Sequence, residues 1–240
     1  MKNILFLALA LFMASCASKP AETTETETPK EQVVNVYSHR HYPSDEILFE
    51  KFTAKTGIKV NVIKADADQL MKRITEEGDK SVADVLLTVD AGRLYRAKEK
   101  GLLQKIGSST INETVPSTFR DADDMWVALT VRARLIAYAK DRIKPEQLSD
   151  MWNLTEKNWK GKILVRQSNN IYNQSLLASI IHNEGEEKAK EWAKGIVANM
   201  AREPKGNDRD QMKEVVKGTG DVAIVNSYYI GLLANSDQPE

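Results

Sequence analysis

Cysteine is almost absent from this 240-residue sequence, in which Cys16 is the only one. A single cysteine excludes an intramolecular disulfide and a metal site built from several thiolates. The chain also has no net charge, because 34 lysines and arginines balance 34 aspartates and glutamates. Without net positive charge, the sequence gives no reason to expect a nucleic-acid partner. A Gly-rich phosphate loop and a nucleophile paired with a base are also missing, which argues against an enzyme.

Long hydrophobic runs are also missing. The apolar run from Ile4 to Met13 follows a basic start and is too short to span a bilayer, as is typical of a signal peptide. Small residues then precede Cys16, which predicts cleavage after residue 15 and lipidation of the cysteine. Residues 16–32 are polar and predict a flexible tether. This arrangement places the protein in the periplasm or on the outer face of the cell membrane; the alternative is a plain signal peptide with an incidental cysteine.

The segment 33–127 predicts an N-terminal α/β lobe, because strand and helix patterns alternate in the order βαβαβ. Such an order favours a parallel sheet with right-handed crossovers. In parallel sheets, ligands bind beyond the carboxyl ends of the strands. Those ends are predicted at residues 37–42 and 88–92.

The segment 128–240 predicts a second α/β lobe, entered through paired strands within residues 126–138. A helix is expected at 145–152, further helices at about 172–183, 185–199 and 208–217, and a buried strand at 220–226. The polar stretch 234–240 follows soon after that strand, so we expect this lobe to be incomplete; the alternative is a complete, compact protein.

Five polar aromatic side chains cluster at predicted strand ends and loops. Tyr228 and Tyr229 follow the buried strand and are expected on a turn, where both hydroxyls can approach one point. Alone, such a pair more often packs in a core. His41 and Tyr42 follow the first strand, however, and Tyr172 lies in a polar loop that opens a helix. A phenolate is a hard anion, so this set favours ferric iron over zinc or calcium.

The remaining tyrosines and histidines fit a site less well. Tyr37 and Tyr95 are expected to be structural, whereas Tyr138 is an alternative to Tyr172. His39 is a possible alternate or supporting residue for His41.

Three arginines lie beside these residues in the sequence. Arg40, Arg132 and Arg134 can lower the pKa of neighbouring phenols, or hold a small anion such as carbonate through paired N–H groups. The alternative function follows from the same residues: a binding protein for an anion or small organic solute, held by arginines without metal.

Several motifs resemble those of the periplasmic ferric-iron-binding proteins of bacterial iron ABC importers, in their tyrosine-rich subgroup. They lie at residues 37–45, 88–94, 132–134, 168–175 and 226–229, in that family's order and spacing. The resemblance implies a two-lobe periplasmic-binding-protein fold of class II, with a hinge of crossing strands. Family members continue well past the length of this chain.

The resemblance also implies roles for individual residues. The metal ligands are expected to be His41, Tyr42, Tyr172, Tyr228 and Tyr229, although the histidine ligates in only some members. Asp90 stands where some relatives have a ligating glutamate and is left out of the ligand set because it is shorter. The implied mechanism is capture and delivery of iron by a monomer to a membrane permease, without catalysis.

Overall fold

The N-terminal lobe is built on a three-stranded parallel sheet. The computed structural model describes residues 31–40 and 42–235. Strands β1 (Val33–Ser38), β2 (Lys59–Lys64) and β3 (Val85–Leu87) lie in the order β2-β1-β3. The middle strand β1 is the most buried of the three. The predicted βαβαβ order is therefore confirmed, and the carboxyl ends of β1 and β3 lie side by side.

Helices α1 (Pro43–Thr56), α2 (Ala67–Glu77) and α3 (Ala91–Glu99) follow the three strands. α1 begins at Pro43 directly after Tyr42, because proline is well suited to a first helical position. Gly57 ends α1 in the left-handed conformation, with φ of 75°, which glycine adopts without strain. A short helix, α4 (Ser109–Thr114), completes the helices of this lobe within the described residues.

The C-terminal lobe has a mixed three-stranded sheet. Strands β4 (Arg134–Tyr138), β5 (Ile163–Leu164) and β6 (Val222–Asn226) lie in the order β4-β6-β5, with β4 antiparallel and β5 parallel to β6. All five residues of β6 are buried. The helices of this lobe are α5 (Ile171–Glu184), α6 (Glu186–Ala198), α7 (Asp208–Val216) and α8 (Tyr228–Ala234).

The alternation of side chains along β6 divides the core of this lobe into two layers. Val222 and Ile224 pack with Trp159 and the buried residues of α5 and α6. Ala223 and Val225 point the other way and pack with residues of α7. A strand covered on both faces in this way is hydrophobic along its length, as β6 is from Val222 to Val225. The central strand is therefore held rigidly up to Asn226, the point where the chain turns toward the tyrosine pair.

The connection between the lobes is less regular than predicted. Only residues 134–138 of the expected paired strands form a strand, and the preceding segment has one isolated bridge, between Arg120 and Val127. The helix predicted at 145–152 is only a 3-10 turn, Pro145–Gln147. Among the described residues, no helix combines the length and apolar character that a membrane crossing requires.

Candidate metal-binding cleft

A large open cleft separates the two lobes. Its volume is about 2120 Å³, and its lining includes Tyr42 and Asp90 from the N-terminal lobe and Arg132, Tyr172 and Tyr228 from the connection and the C-terminal lobe. The N-terminal residues come from the carboxyl ends of β1 and β3, where ligands of parallel sheets bind. The cleft therefore collects residues of both lobes that the sequence had singled out.

Two predicted ligands, Tyr172 and Tyr228, meet in the cleft. Their hydroxyl oxygens are 3.4 Å apart, although 56 residues separate them along the chain. The rings of Tyr228 and Tyr229 pack at 4.3 Å between centroids, tilted by 40°. The structure thus brings three of the five predicted ligands into one cluster.

The local structure of the tyrosine pair differs from the prediction. Tyr228 and Tyr229 were expected on a turn, but they are the first two residues of α8. Successive helical residues project about 100° apart, and the two rings pack against each other at a tilt of 40°. Tyr172 also opens a helix, because the Asn170 side chain accepts a hydrogen bond from the Tyr172 backbone N–H at 3.0 Å and caps α5.

Burial keeps the paired phenols protonated in the absence of a cation. It raises the pKa of Tyr228, which the hydrogen bond with Tyr172 raises further. Burial also raises the pKa of Tyr229, with smaller contributions from the charges of Tyr172, Asp208 and Tyr42. A cation that binds these oxygens must therefore displace protons.

Guanidinium groups surround the ring of Tyr172. Arg132, Arg166 and Arg134 lie 4.5, 5.5 and 5.9 Å from its centroid. A fourth, Arg209, lies 5.8 Å from the ring of Tyr229. Sequence reasoning predicted Arg132 and Arg134 but missed Arg166 and Arg209; the position of Arg166, two residues before the polar loop of Tyr172, was the available signal. These four guanidinium groups place positive charge beside the faces of the clustered rings.

The three arginines predicted to hold an anion are each paired with a carboxylate. Arg40 donates two hydrogen bonds to Asp45, at 3.0 and 2.9 Å. Arg132 pairs with Asp90, and Arg134 pairs with Asp208. An incoming anion would have to compete with these carboxylates, which weakens the case for a metal-free anion site.

The N-terminal lobe supplies Tyr42 to the cleft. It lies directly before α1, and the Arg40 guanidinium is 5.1 Å from its ring centroid. His41 and Cys16 lie outside the described residues, so their predicted roles stay predictions. His39 turns away toward the backbone, with Nδ1 3.4 Å from the Ala65 carbonyl oxygen.

The other tyrosines lie apart from the cluster. Tyr37 is completely buried and donates to Glu77 at 2.9 Å, which agrees with its predicted structural role. Tyr95 is exposed on α3. Tyr138, the alternative to Tyr172, lies in β4 and packs against the hydrophobic core. Of the two, only Tyr172 is in contact with Tyr228.

Asp90 joins the two lobes directly. Its carboxylate accepts a hydrogen bond at 2.6 Å from the hydroxyl of Ser175 in α5, and one at 3.0 Å from the backbone N–H of Gly92. Asp90 has φ of 78°, unusual for a residue other than glycine. Arg132 is a third partner of this carboxylate. Asp90, which was left out of the predicted ligands, therefore already bonds to three groups of the protein.

Carboxylates, imidazoles and thiolates do not form an alternative metal site within residues 31–40 and 42–235. No three such side chains come together there in a way that could hold an ion. The tyrosine cluster is therefore the donor set on which a metal site in the described part of the chain would depend.

Comparisons with known proteins agree with this geometry. A family model described as "Bacterial extracellular solute-binding protein" matches residues 80–239. Iron uptake protein A1 of Synechocystis sp. is 47% identical over 227 residues, covering 95% of this chain and 63% of that protein. The major ferric iron-binding protein of Neisseria meningitidis is 31% identical over 207 residues, covering 84% and 61%.

Solved structures give the same picture. A Trichodesmium protein in complex with iron and citrate ligands superposes with a TM-score of 0.83 at 49% identity, covering 86% of this chain and 66% of that one. The ferric binding protein of Campylobacter jejuni gives a TM-score of 0.80 at 45% identity, covering 86% and 66%. This chain spans about two thirds of the length of these relatives.

Proposed function

Because the chain belongs to the family of bacterial extracellular solute-binding proteins, we propose that it captures ferric iron in the cleft between its lobes. The observation that carries this proposal is the approach of the Tyr172 and Tyr228 hydroxyls to 3.4 Å, with Tyr229 packed beside them. The names of its relatives, which include iron uptake and ferric iron-binding proteins, support the same cargo.

Phenol oxygens suit ferric iron for electrostatic reasons. Each becomes a hard anion when it loses its proton, and a trivalent cation gains more from such ligands than a divalent one does. Arg132, Arg134 and Arg166 offset the negative charge that several phenolates accumulate around one ion. Iron binding then releases protons from Tyr228 and Tyr229, whose pKa values burial has raised.

The proposed ligand set is Tyr42, Tyr172, Tyr228 and Tyr229, with His41 as a further candidate. Tyr42 belongs to the N-terminal lobe and the three other tyrosines to the C-terminal lobe, so full coordination requires both walls of the cleft. Closure of the lobes around the ion would complete the site. A small anion such as carbonate, held near Arg132, is a proposed addition to the ligand set.

The proposed destination of the iron is the permease of an ABC importer in the inner membrane. Lipidation at Cys16, after removal of residues 1–15, would hold the protein at the membrane surface as a monomer with its globular part on a tether. Stable attachment of this kind needs more than one acyl chain.

The proposal predicts colour. Protein loaded with ferric iron should show a visible band from charge transfer between phenolate and iron, and metal analysis should find iron in it. Tyr228→Phe and Tyr229→Phe should each weaken iron binding and shift or remove the band, because each deletes one oxygen donor. Tyr95→Phe is the matched control, since that residue is exposed on α3 away from the cluster.

Two results would contradict this function. One is the absence of a visible band after iron loading, together with phenylalanine variants that behave as wild type. The other is a fluorescence change that depends on phosphate and is indifferent to metal, which would instead favour an anion site built on the arginines.

A further inference from the structure

Asp208 is a fully buried carboxylate close to the tyrosine cluster. It is the first residue of α7 and has no exposed surface. A buried charge is costly unless it is paired and hydrogen-bonded. Asp208 meets both conditions: it pairs with Arg134, accepts from Arg166 at 3.3 Å, and accepts from the backbone N–H of Asn226 at 2.8 Å.

The partners of Asp208 lead to both segments that carry the clustered tyrosines. Arg134 donates at 2.7 Å to the side-chain oxygen of Asn173, the residue after Tyr172. It also donates at 3.1 Å to the side-chain oxygen of Asn226, two residues before Tyr228. One guanidinium, held by one carboxylate, thus connects the start of α5 with the end of β6.

We propose that Asp208 is a positioning residue that sets the separation of the Tyr172 and Tyr228 hydroxyls through Arg134. The two helices that present these tyrosines begin at the points where the network attaches, so a shift of Arg134 moves both. Groups that orient metal ligands in this way strongly affect affinity without touching the metal. The iron-binding part of this inference rests on the proposed function; the positioning part does not.

A carboxylate at this position cannot be replaced by an amide without consequence. Asp208→Asn keeps the shape and an oxygen to accept from the Asn226 backbone. It removes the negative charge between Arg134 and Arg166, both of which contact Asp208 from the same buried region. Two like charges without a shared counter-charge repel, so we expect the guanidinium groups, and the asparagines bonded to Arg134, to shift.

The first test uses the iron-free protein labelled with ¹³C at the tyrosine ring carbon that bears the hydroxyl. Asp208→Asn should shift the NMR signals of Tyr172 and Tyr228 and leave those of Tyr37 and Tyr95 in place. Asp210→Asn is the matched control in the same helix, because Asp210 accepts at 2.7 Å from the Asn207 backbone and caps α7 without bonding to Arg134. Folded Asp208→Asn protein with wild-type tyrosine signals would overturn the proposal.

The second test measures ferric iron. Asp208→Asn should weaken iron affinity by about 10- to 100-fold, the usual effect of losing a group that orients a ligand, and should move the visible band, whereas Asp210→Asn should do neither. Weaker iron binding with unshifted tyrosine signals in the iron-free protein would count against positioning. If wild-type protein takes up no ferric iron, the proposed function fails, and the iron-free NMR comparison still decides the role of Asp208.

Arg134→Lys provides a second variant if Asp208→Asn does not fold. Lysine keeps the charge but lacks the planar fork that reaches Asn173 and Asn226 at once. The same two tyrosine signals should shift. Their persistence at wild-type positions would show that the network does not set the tyrosine geometry.

Discussion

The two lobes contribute to the cleft in different ways. The C-terminal lobe has two layers of buried hydrophobic residues around β6, and three clustered tyrosines extend from it. The N-terminal lobe has few buried hydrophobic side chains, and its Tyr42 precedes a helix that lacks a side-chain cap. One wall of the cleft is therefore preassembled on a dense core, while the other is a thinner layer that supplies one tyrosine.

Most of the conformational entropy needed to order the site is therefore lost when the C-terminal lobe folds, before iron binds. Donors fixed before a cation arrives lose little conformational freedom when it binds. The wall that moves needs only to bring Tyr42 against a finished cluster. Three experiments test this distinction, in order of decreasing effect.

Loss of the large core side chain Trp159 should have the greatest effect. Trp159 is almost fully buried in the C-terminal lobe, so Trp159→Ala should lower the free energy of unfolding by about 3–5 kcal/mol. Leu70→Ala removes an equally buried residue from the thinner N-terminal lobe, which can collapse more easily, and should cost nearer to about 2 kcal/mol. Urea denaturation of both variants measures the free energy of unfolding. Equal decreases in the two variants would contradict the difference in packing between the lobes.

Removal of the hydroxyl that connects the lobes should have an intermediate effect. Ser175→Ala deletes a hydrogen bond to the Asp90 carboxylate, worth about 1.5 kcal/mol, and should shift the ratio of open to closed protein roughly tenfold. Small-angle X-ray scattering of iron-free protein should then give a larger radius of gyration. Ser179→Ala is the control, because that residue lines the same cleft and bonds within α5. Identical scattering from both variants would show that the Asp90 contact does not hold the lobes together.

The smallest effect is confined to alkaline pH. Burial raises the pKa of Tyr228 and Tyr229 above the value of about 10 that a phenol has in an unfolded chain. A raised pKa contributes stability that is fully present below pH 10 and is lost as pH rises through the folded-state values. The urea midpoint of iron-free protein should therefore fall above pH 10, and fall less in Tyr228→Phe. If exposed Tyr95→Phe reduces the fall as much, the clustered phenols are not its source.

Much of this fold follows from local patterns in the sequence. The order of strands and helices in the N-terminal lobe and the buried strand β6 were both predicted, because hydrophobic periodicity determines them. Residues 145–152 show the limit of such patterns. A helix was predicted there, but the chain makes only a 3-10 turn before it enters the core around Trp159.

The site was predictable to the extent that it depends on residue type. Phenols beside strand ends indicated Tyr172, Tyr228 and Tyr229, and Tyr172 was expected where a helix begins, but the start of α8 at Tyr228 was not foreseen. Asp208 was missed because its local sequence is that of an ordinary helix start, following the cap residue Asn207. Its partners Arg134 and Asn226 are distant in sequence, and only the folded chain brings them together.

The strand order of the C-terminal lobe has a consequence for biosynthesis. β6 pairs with both other strands but is the last of the three to be made, and Arg134 and Asn226 are 92 residues apart. At about 5–20 residues per second, a ribosome needs roughly 5 to 18 s to synthesise that interval. The strands of the N-terminal sheet all lie within residues 33–87 and are complete early. Because its contacts join residues far apart in the sequence, the C-terminal sheet can form only after β6 has been synthesised. The hydrophobic side chains of the denser lobe therefore remain unburied for longer than those of the N-terminal lobe.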